Sequence, residues 1–370
     1  MITKSKYTTK LAKLIDEDSE LVELLNSTKA NYTVFAPTDH AFSKIPDHAH
    51  KPSKEFIKKV LLYHVSPGVF PAGRLLFTHT VPTLLNETLL GDKPQRLVAK
   101  VGLRGVAINF YSKVVAVNIV RHPLHPTRVT LMKPQPATNG LIHGVDSILI
   151  PPPKVIQIIN LLPGEFSTLL LGLGKTGLDS ALNSTHHTGG TFFAPSNSAF
   201  KKLGPRINAF LFSKFGEKYL KALLEYHIVA NYTRYSNTLY APTSHEALDG
   251  EMEEKMARPP YVHLDLPTLL EDKSLAIDLT RYGPFISFKI NGFVRVVVQD
   301  GLAKDGVIQV VSDLLIPPKS VGGPPLANME YWDGGEMSLE EFKERLGPLV
   351  WLNGDAPCQA KQGGRPPNST

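Results

Sequence analysis

Residues 33–42 read "TVFAPTDHAF", and residues 191–200 read "TFFAPSNSAF". Thr, Phe, Ala, Pro, Ala and Phe keep their places while most polar positions change. Two further phrases recur in the same order: "LLYHVSPG" (61–68) as "LLEYHIVA" (223–230), and "GLIHGVDSILIPP" (140–152) as "GVIQVVSDLLIPP" (306–318). The offset between copies drifts only from 158 to 166 residues, which marks a tandem duplication. Each copy ends on a proline cluster, Pro151 to Pro153 and then Pro317 and Pro318, where a strand loses ladder donors. The expected organisation is a domain over 1–153, a second over 154–319, and an extension over 320–370.

Working outward, 370 residues suit two cores of ordinary size rather than one. Hydrophobic residues at 42% and charged residues at 20% are globular values, so each half can bury a core. Forty basic residues against 34 acidic ones give +6, too mild a surplus for a nucleic-acid-binding profile. The lysines of "KPSKEFIKK" (51–59) read first as the solvated face of a helix.

Cys358 is the single cysteine, so an intrachain disulfide is excluded and packing must hold the cores. Six N-x-[ST] sequons, at Asn26, Asn31, Asn86, Asn183, Asn231 and Asn368, stand against about two expected by chance. Their surplus predicts passage through the secretory pathway. "MITKSKYTTK" nonetheless lacks an apolar leader, and no apolar run reaches the ~18 residues of a membrane helix. The expectation is a soluble chain, either missing its leader here or leaving its sequons idle.

Local patterns put helices early and strands late in each copy. Leu11, Leu14 and Ile15, then Leu21, Val22, Leu24 and Leu25, have helical spacing, with Ser19 as a cap between two short helices. Residues 33–36 form a short strand ended by Pro37, and Thr38 or Asp39 caps the turn that follows. Phe56, Ile57, Val60 and Leu61 stripe a helix opened by Ser53 and closing near Tyr63-His64. Residues 141–150 read as the closing strand. Asn291-Gly292 predicts a hairpin turn, 241–260 a surface insertion, and Ser338 to Glu341 a capping box opening a helix with Leu339, Phe342 and Leu346 on one side. Docking of that helix, or of Trp332 and Trp351, on the chain's own domains is the expected arrangement. The fold class is α+β.

These anchors resemble the fasciclin domain family: residues 33–42 its first signature, Tyr63-His64 its central pair, and residues 139–152 its second signature. The resemblance implies two tandem fasciclin-like domains, each a twisted β-sheet wedge packed with several helices. It further implies a non-enzymatic role in cell adhesion or in matrix or cell-wall association, with cell-surface or matrix proteins or glycans as partners. The partner-contact positions it implies are Tyr63, His64, Asp146 and Ile148, with Tyr226 and His227 in the second copy. That copy departs most, with Asn197 for Asp39, Gln309 for His143 and Ser312-Asp313 for Asp146-Ser147. Some fungal relatives lie in the vacuole, which leaves a luminal role in membrane or vesicle traffic as an alternative.

A tyrosine and a histidine at a helix end also serve structure directly, the ring filling core and the imidazole meeting an orphan carbonyl. That structural reading is preferred. "GLGKTG" (172–177) falls short of a phosphate loop because Leu169 stands where glycine is required, and Gly172 or Gly174 reads as a helix end. His40, His48 and His50 with Asp39 and Asp47 match no strong metal spacing, and His186-His187 reads as an exposed pair. Nucleophile-elbow and zinc-protease motifs are both missing. The reading is therefore no enzyme, no cofactor and no metal; an enzyme or small-ligand carrier using a pocket between sheet and helices is the remote alternative.

Overall fold

The computed structural model describes residues 6–27, 31–46, 52–102, 105–109, 135–137, 140–183, 188–240, 261–320, 329–332 and 334–352. The insertion at 241–260, the histidines at 48, 50, 186 and 187, most of 106–120, Asn368, Cys358 and the polar tail lie outside them, as does the Trp351 side chain.

The first copy opens with helices α1 (Thr9–Asp16) and α2 (Ser19–Asn26), and the signature phrase forms strand β1 (Tyr32–Pro37). Helices α3 (Asp39–Phe42) and α4 (Lys54–Tyr63), strand β2 (Val65–Pro67) and helix α5 (Ala72–Thr78) follow. Strands β3 (Thr80–Glu87), β4 (Lys93–Gly102) and β5 (Gly105–Ile108) make one antiparallel sheet, and β6 (Gln135–Ala137) and β7 (Gly140–Val145) complete a second, of order β2-β1-β7-β6. The closing strand is thus shorter than expected: it stops at Val145, and residues 146–150 turn away to pass beneath α4.

The second copy repeats the plan with α6 (Val155–Leu161), α7 (Pro163–Thr176), α8 (Leu178–Asn183), β8 (Gly190–Pro195), α9 (Asn197–Lys202), α10 (Gly204–Leu211) and α11 (Glu217–Glu225). Short strands β9 (Ile228–Ala230), β10 (Thr233–Arg234) and β11 (Leu239–Tyr240) lead to the long strands β12 (Tyr261–Pro267), β13 (Ser274–Tyr282), β14 (Phe285–Ile290), β15 (Val294–Ala303) and β16 (Gly306–Val311). Its main sheet runs β12-β13-β14-β15-β16-β8-β9.

In both copies the first signature strand lies parallel to the second, β1 on β7 and β8 on β16, with Phe35 opposite His143 and Phe193 opposite Gln309. The same glycine opens each closing strand. Gly140 (φ 153°) and Gly306 (φ 156°) hold a backbone shape that side chains disfavour, and a Cβ there would overlap the backbone of Tyr32 or Gly190. Phe35 and Phe193 are both fully buried, and their N–H groups donate to the carbonyls of His64 (2.8 Å) and His227 (2.9 Å). The recurring letters therefore hold equivalent places.

Two cap assignments change. Asp18, one residue earlier than expected, accepts the Leu21 N–H and caps α2. Asp39 caps the distant start of α1, its carboxylate accepting from Thr9 and Lys10 N–H, while Thr38 makes no side-chain cap bond. An acid beside unfilled helix donors is favoured wherever the chain brings it, and sequence distance is no guide. Asn197 does the same for α7 by accepting the Thr168 N–H at 2.9 Å. Gly172 and Gly174 lie inside α7, which ends instead at left-handed Gly177.

The C-terminal helix Leu339–Leu352 starts at Ser338, whose hydroxyl accepts the Glu341 N–H. Phe342, Leu346, Leu349 and Val350 are buried in the second core, and Trp332 joins them. The two copies also share an interface. Arg96, fully buried, donates to the Tyr240 hydroxyl (3.1 Å) and the Thr80 carbonyl (3.0 Å), while Val98, Tyr235, Tyr240, Leu302 and Val307 form a small apolar cluster between the copies.

Candidate functional site

The Tyr-His pair ends α4 and α11 with its side chains inside the protein. His64 Nδ1 donates to the Val60 carbonyl (2.7 Å) and its Nε2 accepts the Leu149 N–H (3.0 Å). His227 repeats this with the Leu223 carbonyl (2.8 Å) and the Leu315 N–H (2.9 Å). An imidazole that donates at one nitrogen and accepts at the other must be neutral. Burial agrees, pushing both histidines from 6.5 down to about 4 despite their helix carbonyls. Each histidine thereby ties a helix end to the stretch that follows the closing strand inside the second signature.

The tyrosines reach the opposite way. Tyr63 donates to the Arg96 carbonyl (2.9 Å) and accepts from Asn109 Nδ2 (3.1 Å); Tyr226 donates to the Ser274 carbonyl (3.2 Å) and accepts from Asn291 Nδ2 (3.0 Å). Both asparagines are left-handed, at φ 65° and 51°, and their side-chain oxygens take the N–H groups of Val98 and Ala276. Sequence reading placed Asn291 in a turn but missed its partner role, and missed Asn109. The available signal was the shared Ile-Asn dipeptide at 108–109 and 290–291.

Asp146 and Ile148 sit nearer the surface. Lys44 Nζ donates to the Asp146 carbonyl (2.7 Å) and lies 3.4 Å from its carboxylate and 3.3 Å from the Ser147 hydroxyl. In the second copy Lys202 meets the Ser312 carbonyl (3.0 Å) and the Asp313 carboxylate (2.6 Å). The order of acid and serine is reversed, yet both lysines are held by one carboxylate and one carbonyl. His143 and Gln309 are likewise matched in role, each reaching a backbone carbonyl, of Phe70 (2.7 Å) and Arg234 (2.9 Å).

His64 and Ile148 meet at a cavity of about 680 Å³. Among the described residues its wall is Leu11 and Leu14 of α1, Ala41 and Phe42 of α3, Phe56, Ile57, Val60 and Leu61 of α4, and Ile148 and Ile150 of the closing segment. Lys44 and Ser147 stand at its edge. Such a wall offers an occupant apolar contact and little else.

The second copy closes the corresponding space with its own chain. Between the first signature and the Tyr-His pair the offset grows from 158 to 163 residues, so that copy carries five more, and they fall where α10 forms. Ile207 and Leu211 are buried there; Phe212 packs on Phe200 (6.3 Å between ring centroids) and Phe210 on Tyr219 (5.2 Å). Gly172, at the Leu14 position, lets α7 approach Leu220 and Leu224 of α11 closely. Phe42, Ile57, Val60 and Ile148 are half-buried, whereas the counterparts Phe200, Leu220, Leu223 and Leu314 are buried; Phe56 is exposed and its counterpart Tyr219 half-buried.

Of the predicted glycosylation positions, Asn26, Asn31, Asn86, Asn183 and Asn231 are all exposed. Asn183 Oδ1 accepts from Lys154 Nζ, and Asn231 Oδ1 from the Thr188 N–H.

A fasciclin domain model matches this chain twice, over residues 6–151 and 164–317. The chain belongs to the fasciclin domain family. Among the relatives of this fasciclin protein is the aurofusarin biosynthesis cluster protein S of Gibberella zeae, 29% identical over 364 residues, covering 94% of this chain and 83% of the relative. The cell surface glycolipoprotein MPB83 of Mycobacterium bovis is 32% identical over 102 residues, 27% of this chain and 46% of the relative. The chain thus corresponds to less than half of the mycobacterial protein. Among solved structures, a FAS1 domain pair from the insect cell adhesion molecule fasciclin I aligns over 83% of this chain and 96% of its own, at 17% identity and a TM-score of 0.37. The family assignment rests on the two model matches. Among the described residues, no helix is long and apolar enough to cross a membrane.

Proposed function

We propose that this fasciclin protein is a non-enzymatic interaction protein of the secretory route. It works at the cell surface or outside the cell and holds protein or glycan partners through its two domains. The duplicated fasciclin domain carries this reading: the family occurs in a cell surface glycolipoprotein, and the five described sequon asparagines face solvent. The vacuolar alternative gains no support from these relatives. Tyr63, His64, Tyr226 and His227 act by building the domains, since each is buried and bonded. Asp146 and Ile148 are the contact residues nearest the surface. Two linked modules gain avidity only when both engage one partner assembly.

Localising the product of the native gene in its own host, with glycosidase treatment of its mass, tests the reading. A cell-surface or secreted, glycosidase-sensitive product is expected; a cytosolic product of unmodified mass overturns it. A second reading, service to a biosynthetic pathway, is favoured by the match over 94% of the chain to a protein named for a biosynthesis cluster. Deleting the gene and finding an unchanged metabolite profile would remove it.

A further inference from the structure

The fold is used twice, and among the described residues the second copy fills the space between its first helix and the helix before the Tyr-His pair while the first leaves it open. The α10 segment supplies the plug in the second copy with Ile207, Phe210, Leu211 and Phe212. The first copy spends five fewer residues there and keeps a cavity of about 680 Å³. That volume lies within the range of clefts that hold small molecules, roughly 300–1,000 Å³. A partner helix lies along a groove that reads positions over two or more turns, whereas α4 lends this space the stretch from Phe56 to Leu61.

We propose that the first-domain cavity is a binding site for a neutral, hydrocarbon-rich small molecule. The polar groups at its edge already have partners. Lys44 is held by Asp146 and Ser147, and both nitrogens of His64 are bonded. The Asp146 carboxylate already offsets the Lys44 charge, so a charged ligand group gains little there and binding comes from apolar burial. Leu14, Phe42, Ile57, Val60 and Ile148 provide that wall. The inference stands on the cavity and is independent of the adhesion reading, since probe binding and localisation fail separately.

The test titrates the full chain with N-phenyl-1-naphthylamine, a neutral probe that brightens in apolar surroundings. Saturable one-to-one binding is expected, at least tenfold tighter than for the sulfonated probe 8-anilinonaphthalene-1-sulfonate. Val60→Phe, which fills the cavity, should weaken binding at least tenfold. Tyr282→Ser with Phe285→Ser, removing exposed apolar residues of the β13–β14 hairpin, should leave it unchanged. Methyl resonances of Leu14, Ile57 and Ile148 in the unsubstituted chain should shift on titration, which gives the answer even if the filled variant does not fold. Displacement by methyl palmitate or by anthraquinone decides between an acyl and a polycyclic ligand. Non-saturable binding, loss with the hairpin variant, or preference for the sulfonated probe would overturn the proposal. So would binding that appears only after truncation at Leu352, because the chain's own C-terminal residues would then be the occupant.

Discussion

The two copies share a skeleton and differ in what covers it. Each ties the end of one helix to the stretch after the closing strand through a neutral histidine, and each anchors a tyrosine on a left-handed asparagine. The second then adds α10 over one side and the C-terminal helix against α11 and α10. The first leaves the matching faces of α1 and α4 around a cavity. Positions bound to the backbone resist change because an abandoned buried donor or acceptor is costly. Positions that only fill volume can drift, with a short insertion opening or closing a hole.

Phe342→Ala gives the largest expected effect, about 3–5 kcal/mol on the second domain, since its ring carries the C-terminal helix into the second core and is fully buried there. Chemical denaturation followed by tryptophan fluorescence should register it, and a loss below 1 kcal/mol would mean that this helix is a dispensable cover. Leu223→Ala against Val60→Ala probes the comparison at one matched position. About 2–5 kcal/mol is expected for buried Leu223 and about 1 kcal/mol or less for half-buried Val60 on the cavity wall. Equal losses would contradict an open first domain.

The paired histidines predict a shared acid response. Each is held near 4 in the folded chain against 6.5 when free, so the unfolded state binds more protons between those values. Stability is full above pH 6.5 and falls as pH drops towards 4, by at most about 3 kcal/mol per histidine. His64→Leu and His227→Leu should each remove their share of this slope in denaturation series at pH 7 and pH 4.5. A slope kept by both variants would assign it to other groups. Smallest is Tyr63→Phe against Tyr226→Phe, about 1–2 kcal/mol each, because each strands one carbonyl and one asparagine donor, half-buried at Asn109 and buried at Asn291. Thermal melts should show similar losses; a large inequality would break the equivalence of the two anchors.

Much of this was legible because the duplication acts as an internal control. The α+β class, both signature strands, the Ser53 and Ser338 caps and the docking of the C-terminal helix followed from local periodicity and turn chemistry. The Asp39 cap on α1, the Asn109 anchor and the early end of β7 did not, since each depends on a partner remote in sequence. The five-residue length difference between the copies was written in the sequence, but its meaning as a plug was not.

By itself the sequence determined that one unit is built twice, because identical backbone demands select the same glycine, phenylalanine, tyrosine and histidine in both places. Tertiary structure alone decided that Arg96 lies buried between the copies and that, among the described residues, the first copy keeps a cavity where α10 fills the second. Those outcomes depend on how separate segments fill a shared volume, a quantity that no local pattern encodes.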